Sequence, residues 1–329
     1  QPAGCFRPPA GSLDKLEAHG QRSGGREGQR PGALMKIAWI QDMDPMVSPG
    51  GAEMNDRAMI IAGLRRGHDI SILTQGNAHE EHQALTADLV ILSNAVTVPM
   101  SLYDALAKEN RPYAFFFHDY GPWLCKWRLF YPMEERCRTI CYLRSRWIDH
   151  LLRAKLMIWL SPLHRWAWLW GEPRLEAVPH ALVPSALNPD LFHDLGGKRK
   201  DAIAVHSGLP FKGWPRVRAW AEEHPETPLT LVGPDLPSDA PKSVRLQGPV
   251  PYGKMNELYN QHETFLHLPD RPMPFDRTVP EAYLAGCKIV GNSLVGALSW
   301  PWFQEGRDAV RRELKAAPTH FWEAMEGVR

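Results

Sequence analysis

A single carboxylate, Glu281, stands out in residues 274–291, where residue types and spacing suit the binding of vicinal hydroxyls. The pattern predicts a loop, a short helix over residues 279–285 that Gly286 ends, and an apolar strand over residues 288–290. A carboxylate on such a helix can accept hydrogen bonds from two neighbouring hydroxyls, such as those of a nucleotide's ribose. An ordinary helix–strand unit with a surface glutamate gives the same pattern, so other segments must decide.

Two glycine-containing loops also precede predicted helices. Gly50 and Gly51 follow the first predicted strand, and Gly208, Lys212 and Gly213 follow the first strand of a second strand–helix series. Backbone N–H groups at the positive end of a helix suit a phosphate or a sugar hydroxyl, and a nearby lysine can neutralise a diphosphate. The alternatives are a flexible helix entry for the first loop and a solvated surface lysine for the second.

His118, Asp119 and Tyr120 follow the strand predicted over residues 113–117. In open α/β sheets, ligands bind beyond the carboxyl ends of the strands, and all four segments lie at such ends. His118 would there face a sugar hydroxyl in a cleft between two domains. The alternative is a polar strand end at which His118 makes a local hydrogen bond. Each segment alone is a weak signal, and their order along the chain favours one shared site.

Short apolar strands alternate with helices from Met35 onward, which predicts an α/β fold with parallel sheets covered on both faces. The alternation stops in a proline-rich stretch over residues 178–189 and then restarts, which predicts two Rossmann-like domains facing each other across a cleft. Strands are expected over residues 36–40, 69–73, 88–92, 113–117, 156–160, 202–206, 229–232, 264–268 and 288–290. Helices are expected over residues 52–66, 214–223, 252–260, 279–285 and 302–328.

The chain from Met35 resembles the retaining glycosyltransferases of family 4, which have the GT-B fold, in a compact, phage-like form. The resemblance implies a nucleotide-sugar donor such as UDP-glucose, held against the second domain, and an acceptor held against the first. It implies no cofactor for catalysis. The residues that carry it are Gly50-Gly51-Ala52-Glu53, His118-Asp119-Tyr120, Lys212-Gly213 and Glu281-Ala282. The expected organisation is a disordered tail over residues 1–34, an acceptor domain over 35–185, a nucleotide-sugar domain over 186–301, and a helix over 302–329 that crosses back to the first domain.

The resemblance also assigns roles to individual residues. The residues with implied catalytic roles are His118, Lys212 and Glu281. The implied donor-binding residues are Gly50, Gly51, Gly208, Lys212, Gly213, Asp276, Arg277 and Glu281. Two positions depart from the family pattern, because Met273 stands in place of a glutamate and Leu209 in place of an arginine. The charged residues close enough in sequence to compensate are Asp270, Asp276 and Arg277.

Residues 121–170 combine basic and aromatic side chains. They contain nine lysines and arginines against three acidic residues, with seven interleaved tryptophans. Because basic groups neutralise phosphates and aromatic faces stack on bases, the segment favours a polyanionic acceptor. Some phages glycosylate hydroxymethylated pyrimidines, so DNA carrying 5-hydroxymethylpyrimidine is the first acceptor to test. A metabolite, a lipid or a polysaccharide is the alternative, since such residues also form cores and solvated helix faces. The acceptor-binding candidates are Asp119, Tyr120, Trp123, Lys126 and Arg128.

Three cysteines lie in the same segment. Cys125, Cys137 and Cys141, with His118 just before them, have the ligand types of a tetrahedral structural zinc site. Their spacing is not that of paired CxxC motifs, and the alternative is three buried thiols.

The composition limits the function further. A net charge of +1 over 329 residues excludes a globally basic nucleic-acid binder but not a local basic face. Five scattered cysteines favour the reducing cytoplasm of a bacterium or a phage-infected cell. No GxGxxG follows the first strand, which disfavours a nicotinamide-dependent dehydrogenase. The remaining interpretations are a sugar-transfer enzyme and a non-catalytic nucleic-acid-binding protein on a degenerate GT-B scaffold.

Overall fold

Two parallel β-sheets organise the computed structural model, which describes residues 34–48, 50–74, 81–95, 98–120 and 147–328. The strands of the first sheet are Lys36–Ile40 (β1), Asp69–Leu73 (β2), Leu89–Ser93 (β3), Tyr113–Phe116 (β4), Leu156–Trp159 (β5) and His180–Leu182 (β6). The strands of the second are Lys200–Val205 (β7), Leu229–Val232 (β8), Val244–Gln247 (β9), His262–His267 (β10) and Lys288–Gly291 (β11). Their spatial orders are β2-β1-β3-β4-β5-β6 and β11-β10-β7-β8-β9.

Helices connect most of these strands in the described part of the chain. They are Gly51–Arg65 (α1), Glu81–Thr86 (α2), Met100–Lys108 (α3), Pro162–Gly171 (α4), Trp214–Glu223 (α5), Met255–Asn260 (α6), Thr278–Leu284 (α7) and Arg307–Glu326 (α8). Residues 147–153 are also helical. Sequence explains some of the helix starts, since Ser161 caps α4 by accepting a hydrogen bond from His164 N and Pro162 follows it. This alternation of parallel strands and helices confirms the predicted α/β fold.

The strands are apolar because both faces of each sheet are covered. All the residues of β3, β4 and β5 are buried, and Trp39 and Trp159 are fully buried inside β1 and β5. Continuous apolar runs are typical of parallel sheets packed between helix layers, which is why these segments were recognisable in the sequence. No helix within the described residues has the length and apolar character needed to cross a bilayer.

The protein has two halves, the first built on the sheet β1–β6 and the second on the sheet β7–β11. The last helix, α8, makes contacts with both halves. Near its beginning, Arg307 donates hydrogen bonds to the carbonyl oxygens of Tyr283 and Gly286, beside the second sheet. Near its end, Trp322 Nε1 donates to the Met59 carbonyl of α1 at 2.8 Å. A Cβ on Gly63 of α1 would overlap the Trp322 ring, so the glycine permits this close approach. The helix therefore ties the first half to the second.

A second set of contacts joins the halves near the start of α4. Ser161 Oγ donates to the Pro274 carbonyl at 2.6 Å, and Trp300 Nε1 donates to the Leu160 carbonyl at 3.0 Å. Leu163 N donates to Ser299 Oγ at 3.1 Å. These bonds fix Pro274, in the loop before α7, and residues 299–300, after β11, against the carboxyl end of β5 and the start of α4.

Two strands of the structure are missing from the sequence prediction. The first, β6, has three residues and lies in the proline-rich stretch that was assigned to the boundary between domains. The second, β9, is an edge strand in which Arg245 and Leu246 are exposed, so it lacks the buried apolar run that marks β3, β4 and β5. The predicted C-terminal helix begins later than expected, because Gly306 at φ +105° separates α8 from a short 3-10 turn over Pro301–Glu305.

Candidate functional site

The candidate site residues lie at the carboxyl ends of strands where the strand order of each sheet reverses. In the first sheet, β1 lies between β2 and β3, so the loop after β1 opens a crevice beside the end of β3. In the second sheet, β7 lies between β8 and β10 in the same way. Such reversals are the usual ligand sites of open α/β sheets. The glycine pair Gly50-Gly51 follows β1, and Lys212 follows β7.

Lys212 is bound to a buried carboxylate in the loop after β10. Its Nζ lies 3.0 Å from Asp276 Oδ1, while His267 Nε2 lies 2.9 Å from Asp276 Oδ2 at an angle that is not that of a hydrogen bond. Burial opposes the ionisation of Asp276, but His267 and Lys212 together hold its pKa well below the ordinary value. Asp276 therefore stays charged and holds the Lys212 ammonium, which is 22% exposed, at the carboxyl edge of the sheet.

Glu281 lies on α7 in the interior of the second half, with only 2% of its surface exposed. Tyr252 OH donates to its Oε1 at 2.9 Å, and Arg277 Nε lies 3.9 Å from the same oxygen. Burial raises the pKa of Glu281 from 4.5 to about 7, while the Arg277 charge and the Tyr252 hydrogen bond act in the opposite direction. The carboxylate is thus an acceptor whose charge is lost in mildly acidic solution.

The family resemblance implies that Glu281 binds the ribose of UDP, and on that expectation replacing Tyr252 by phenylalanine makes UDP binding more sensitive to acid. The hydroxyl stabilises the charged form, so its removal raises the pKa of Glu281 above about 7. A hydrogen bond to a charged group contributes about 1.5 kcal/mol, which corresponds to about one pH unit. The midpoint of the acidic limb in the pH profile of UDP binding should therefore move upward by about one unit. Tyr283→Phe, on the same helix, is the matched control and should leave the midpoint in place.

The two glycines before α5 have structural reasons for being glycine. Gly208 and Gly213 have φ values of +72° and +81°, in the left-handed region. A Cβ on Gly213 would also overlap the carbonyl oxygen of Leu268, so α5 begins in close contact with the end of β10. This close packing places Lys212, which immediately precedes Gly213, beside the loop that carries Asp276.

Gly213→Ala should therefore destabilise the protein more than a left-handed conformation alone would. The left-handed conformation costs an alanine about 1 kcal/mol, and the overlap with the Leu268 carbonyl adds strain, so we expect a loss above about 2 kcal/mol in the free energy of unfolding. Gly196 has a similar φ of +74° with no atom within 4 Å of an added Cβ. Gly196→Ala is therefore the matched control. Urea unfolding of both variants distinguishes the cost of the left-handed conformation, which both share, from the cost of the overlap with Leu268, which only Gly213→Ala has. Equal losses in the two variants would contradict this account.

The glycine pair of the first half faces the second half. Gly50 precedes α1 without a side-chain cap, and a Cβ on Gly51 would lie 3.5 Å from Arg277 Cδ. The first-turn N–H groups of α1 therefore lie close to the loop and helix that carry Arg277 and Glu281. The structure thus places Gly51 of the first half beside Arg277, whose neighbour in the chain, Asp276, holds Lys212.

His118 lies after β4 in a buried polar network. Its Nε2 lies 2.7 Å from Asp56 Oδ1, and Ser93 Oγ donates to the same carboxylate at 2.7 and 2.8 Å. Its Nδ1 lies 3.5 Å from Asn55 Nδ2. Both ring nitrogens therefore have partners within the protein, as in the alternative interpretation of a local hydrogen bond. His118 also lines a pocket with Leu92, Asn94, Ala95, Asp119 and residues 115–117.

The other acceptor-side candidates divide into two groups. Asp119 is exposed, whereas Tyr120 is buried, with its ring against that of His164 at a centroid distance of 5.1 Å. Of the tryptophans in the basic segment, Trp159 and Trp168 are fully buried and belong to the core. The remaining acceptor-binding candidates and the proposed zinc ligands lie outside the described residues: Trp123, Lys126, Arg128, Cys125, Cys137 and Cys141. Among the described residues, no group of three or more His, Cys, Asp or Glu could hold a metal ion.

The two departures from the family pattern have different surroundings. Met273 is buried and its N donates to the Leu294 carbonyl, whereas Leu209 is 45% exposed. Asp270, one residue considered as a compensating charge, accepts a hydrogen bond from Arg216 at 2.6 Å. Arg277 is the basic side chain beside Glu281. Arg277 is therefore better placed than Asp270 to interact with the donor that the resemblance implies at Glu281, because Asp270 is already paired with Arg216.

Several site residues were not predicted from the sequence. Asn55 and Asp56 lie on the buried face of α1, Ser93 ends β3, His267 ends β10, and Tyr252 follows the missed strand β9. Asn55 and Asp56 could have been recognised from the sequence, because they lie on the same buried helix face as Met59, Ile60 and Gly63. Two polar residues on the core-facing side of an amphipathic helix need buried partners, which marks them as part of a network.

No protein-family model matches the sequence, and no curated protein matches it. The fold is similar to that of Anabaena HepE in complex with UDP-glucose, with a TM-score of 0.60 and 17% identity over 89% of this chain and 99% of that one. It is also similar to sucrose-phosphate synthase from Thermosynechococcus elongatus (TM-score 0.58, 16% identity, 88% of this chain and 96% of that one). A third similar structure is an alpha-glucosyltransferase in complex with UDP and a 13-mer DNA containing an HMU base (TM-score 0.51, 11% identity, 88% and 96%). These similarities confirm the expected GT-B fold.

Proposed function

We propose that this protein is a retaining glycosyltransferase that moves a sugar from a nucleotide-sugar donor of the UDP-glucose type to an acceptor hydroxyl. The observation that supports it most is the assembly of Lys212, Arg277 and Glu281 at the carboxyl edge of the second sheet, facing the start of α1. The similar structures of HepE and of the DNA-bound alpha-glucosyltransferase contain UDP-glucose and UDP, respectively. Their fold is shared by this chain over most of its length.

In this proposal the second half holds the nucleotide. Glu281 accepts hydrogen bonds from the two ribose hydroxyls, which its partial neutralisation below about pH 7 would weaken. Lys212 balances the charge of the diphosphate, helped by Arg277 and by the N–H groups at Gly50 and Gly51. Asp276 acts on Lys212 and not on the donor itself, because its carboxylate is buried against Lys212 and His267.

The chemistry requires no nucleophile from the protein. The acceptor oxygen bonds to the anomeric carbon as the bond from that carbon to the diphosphate oxygen breaks. The leaving diphosphate takes the acceptor's proton, and attack on the face from which it departs retains the anomeric configuration. The protein positions both substrates and stabilises the charge that develops on the phosphate. His118 contributes to the sugar side through the pocket that it lines after β4.

The acceptor proposed for the first test is DNA carrying 5-hydroxymethylpyrimidine. Its support is the excess of basic and aromatic residues in residues 121–170 and the fold shared with an alpha-glucosyltransferase that was solved with HMU-containing DNA. Such an enzyme would act in the cytoplasm of a bacterium or a phage-infected cell. A metabolite, a lipid or a polysaccharide is the alternative acceptor. A structural zinc site at Cys125, Cys137 and Cys141 is a separate proposal that metal analysis of the purified protein tests.

Mass spectrometry of products from a panel of nucleotide sugars and acceptors tests the function. The panel includes UDP-glucose and oligonucleotides with and without 5-hydroxymethyluracil. The expected result is UDP release together with a gain of one hexose in the modified oligonucleotide. A hexose gain on another acceptor would keep the activity and change the substrate. Binding of DNA with no turnover of any donor would favour the second candidate, a non-catalytic nucleic-acid-binding protein, which Met273 and Leu209 support as departures from the family pattern.

A further inference from the structure

A chain of hydrogen bonds runs from Arg277 in the second half to His118 in the first. Arg277 Nη1 donates to the Ala186 carbonyl, in the peptide that connects the two halves. Ala186 N donates to Asn55 Oδ1 at 2.7 Å. Asn55 Nδ2 lies 3.5 Å from His118 Nδ1, and His118 Nε2 lies 2.7 Å from Asp56 Oδ1. Ala186 in the linker is thus bound at its carbonyl by Arg277 and at its N–H by Asn55.

The directions of these bonds are fixed by their donors and acceptors. Because Ala186 N is a donor, the oxygen of the Asn55 amide must face it, and the NH₂ group must face His118. His118 Nδ1 is therefore an acceptor, and Nε2 carries the hydrogen that Asp56 accepts. The network thus selects the neutral Nε2–H tautomer of the ring. Asn55 is the residue that sets this state on the side of the linker.

Asn55 is completely buried, so both ends of its amide depend on these partners. An unpaired polar group in that position would carry the full cost of its desolvation, which gives the amide one preferred orientation. The bond from Asn55 to His118 is at the long limit for a hydrogen bond. Bonds of this kind in unliganded enzymes often shorten when substrate binds. Movement of the linker peptide at Ala186 would change this length directly.

We propose that Asn55 is a positioning residue that couples the donor side of the cleft to the His118 ring through the linker peptide at Ala186. The inference rests on the proposed function, which places Arg277 and Glu281 at the donor nucleotide. Arg277 lies 3.9 Å from Glu281 and next to Gly51, so a nucleotide between them changes the surroundings of the guanidinium. Arg277 passes that change to Ala186, and Asn55 passes it to the ring of His118, one of the residues that line the pocket after β4.

Nitrogen NMR of the full chain labelled with ¹⁵N-histidine tests the coupling, with the His118 signals assigned by their loss in His118→Gln. In the unliganded protein, Nδ1 should show the shift of an unprotonated nitrogen and Nε2 that of a protonated one. Arg277→Met and, separately, addition of UDP should each shift the His118 signals. In an Asn55→Leu background, where the side chain neither accepts from Ala186 N nor donates to Nδ1, both shifts should be lost.

Asn260→Ala serves as the matched control. Asn260 is a buried asparagine of the second half that donates to the carbonyls of His193 and Asn256. Its loss removes similar hydrogen bonds without touching the linker contact, so the UDP-induced shift at His118 should persist. If Asn55→Leu does not fold in a thermal melt, Asn55→Ala carries the same test, since it too removes the donor to Nδ1.

Three outcomes would overturn the inference. They are a protonated Nδ1 in the unliganded protein, an equal His118 response to Arg277→Met with and without Asn55, and an equal response to UDP in the Asn55→Leu variant. Failure of the proposed function would give a different result from failure of the coupling. A wild-type protein that does not bind UDP in calorimetry removes the proposed donor, whereas the Arg277→Met comparison still decides the coupling through Asn55.

Discussion

Lys212→Ala is expected to lower turnover of the sugar donor by about two to three orders of magnitude, the usual loss when one preorganised charge is removed from a developing anion. The Lys212 ammonium is fixed 3.0 Å from Asp276 Oδ1 at the carboxyl edge of the second sheet. No reorganisation is needed to place it beside a diphosphate, which is why its loss should affect the rate more than the fold. Steady-state kinetics with UDP-glucose and the acceptor found in the panel measure the effect.

The control for Lys212→Ala must distinguish loss of the ammonium charge at the site from loss of the folded structure. Lys288 is a lysine of the same half, paired with Glu263 at 2.6 Å on the exposed surface. Lys288→Ala should keep near-normal turnover. Asp276 keeps His267 at 2.9 Å after the loss of Lys212, so circular dichroism of Lys212→Ala should show a folded protein. Near-normal turnover in folded Lys212→Ala would remove this lysine from the site.

Glu281→Gln is expected to weaken donor binding and at the same time to stabilise the protein above pH 7. The carboxylate binds two ribose hydroxyls in the proposed complex, and hydrogen bonds to a neutral amide are weaker than those to a charged group. We expect a loss of about one to two orders of magnitude in UDP affinity, from about 1 kcal/mol for each bond. Isothermal calorimetry with UDP at pH 8 measures it.

The stability effect follows from the raised pKa of Glu281. Burial shifts it from 4.5 to about 7, so between these values the folded protein holds a proton that the unfolded chain releases. Stability therefore falls as the pH rises through this window, and above pH 7 the buried charge costs up to about 3 kcal/mol. Glutamine carries no charge, so Glu281→Gln should unfold at higher urea concentration than wild type at pH 8 and at the same concentration at pH 4.5.

An exposed glutamate of the same half is the control for both measurements. Glu263→Gln removes a carboxylate that is paired with Lys288 at the surface, where water screens the charges, so UDP affinity and the pH dependence of unfolding should both match those of wild type. A Glu281→Gln variant that is less stable than wild type at pH 8 would show that the carboxylate is held by interactions stronger than its burial cost.

The sequence predicted the fold because its signals are local. Apolar strands, the glycines that end or begin helices and the proline-rich boundary are each readable within about ten residues. The edge strand β9, which has exposed residues and no buried apolar run, was missed for the same reason. Tyr252 was placed in a predicted helix, but its hydrogen bond to Glu281 joins separate parts of the chain and was not predictable from local signals.

The candidate site was predictable only where a motif carries it. Lys212 and Glu281 belong to motifs, whereas Asn55 and Asp56 were hidden inside an ordinary amphipathic helix. Their partners are His118, Ser93 and the linker peptide, which are distant in sequence. A buried polar residue can be suspected from its helix face, but its partner is decided by how the strands are ordered. The contact of Gly63 with Trp322 is hidden by the same sequence distance.

The path of α8 limits how the protein can move. The chain passes between the halves twice, once through the peptide at Ala186 and once through this helix, which is bonded at opposite ends to Tyr283 and Met59. A movement that separates the halves must strain both crossings at once, and it must also break the hydrogen bonds from Ser161 to Pro274 and from Trp300 to Leu160. We therefore expect the two halves to move little against each other.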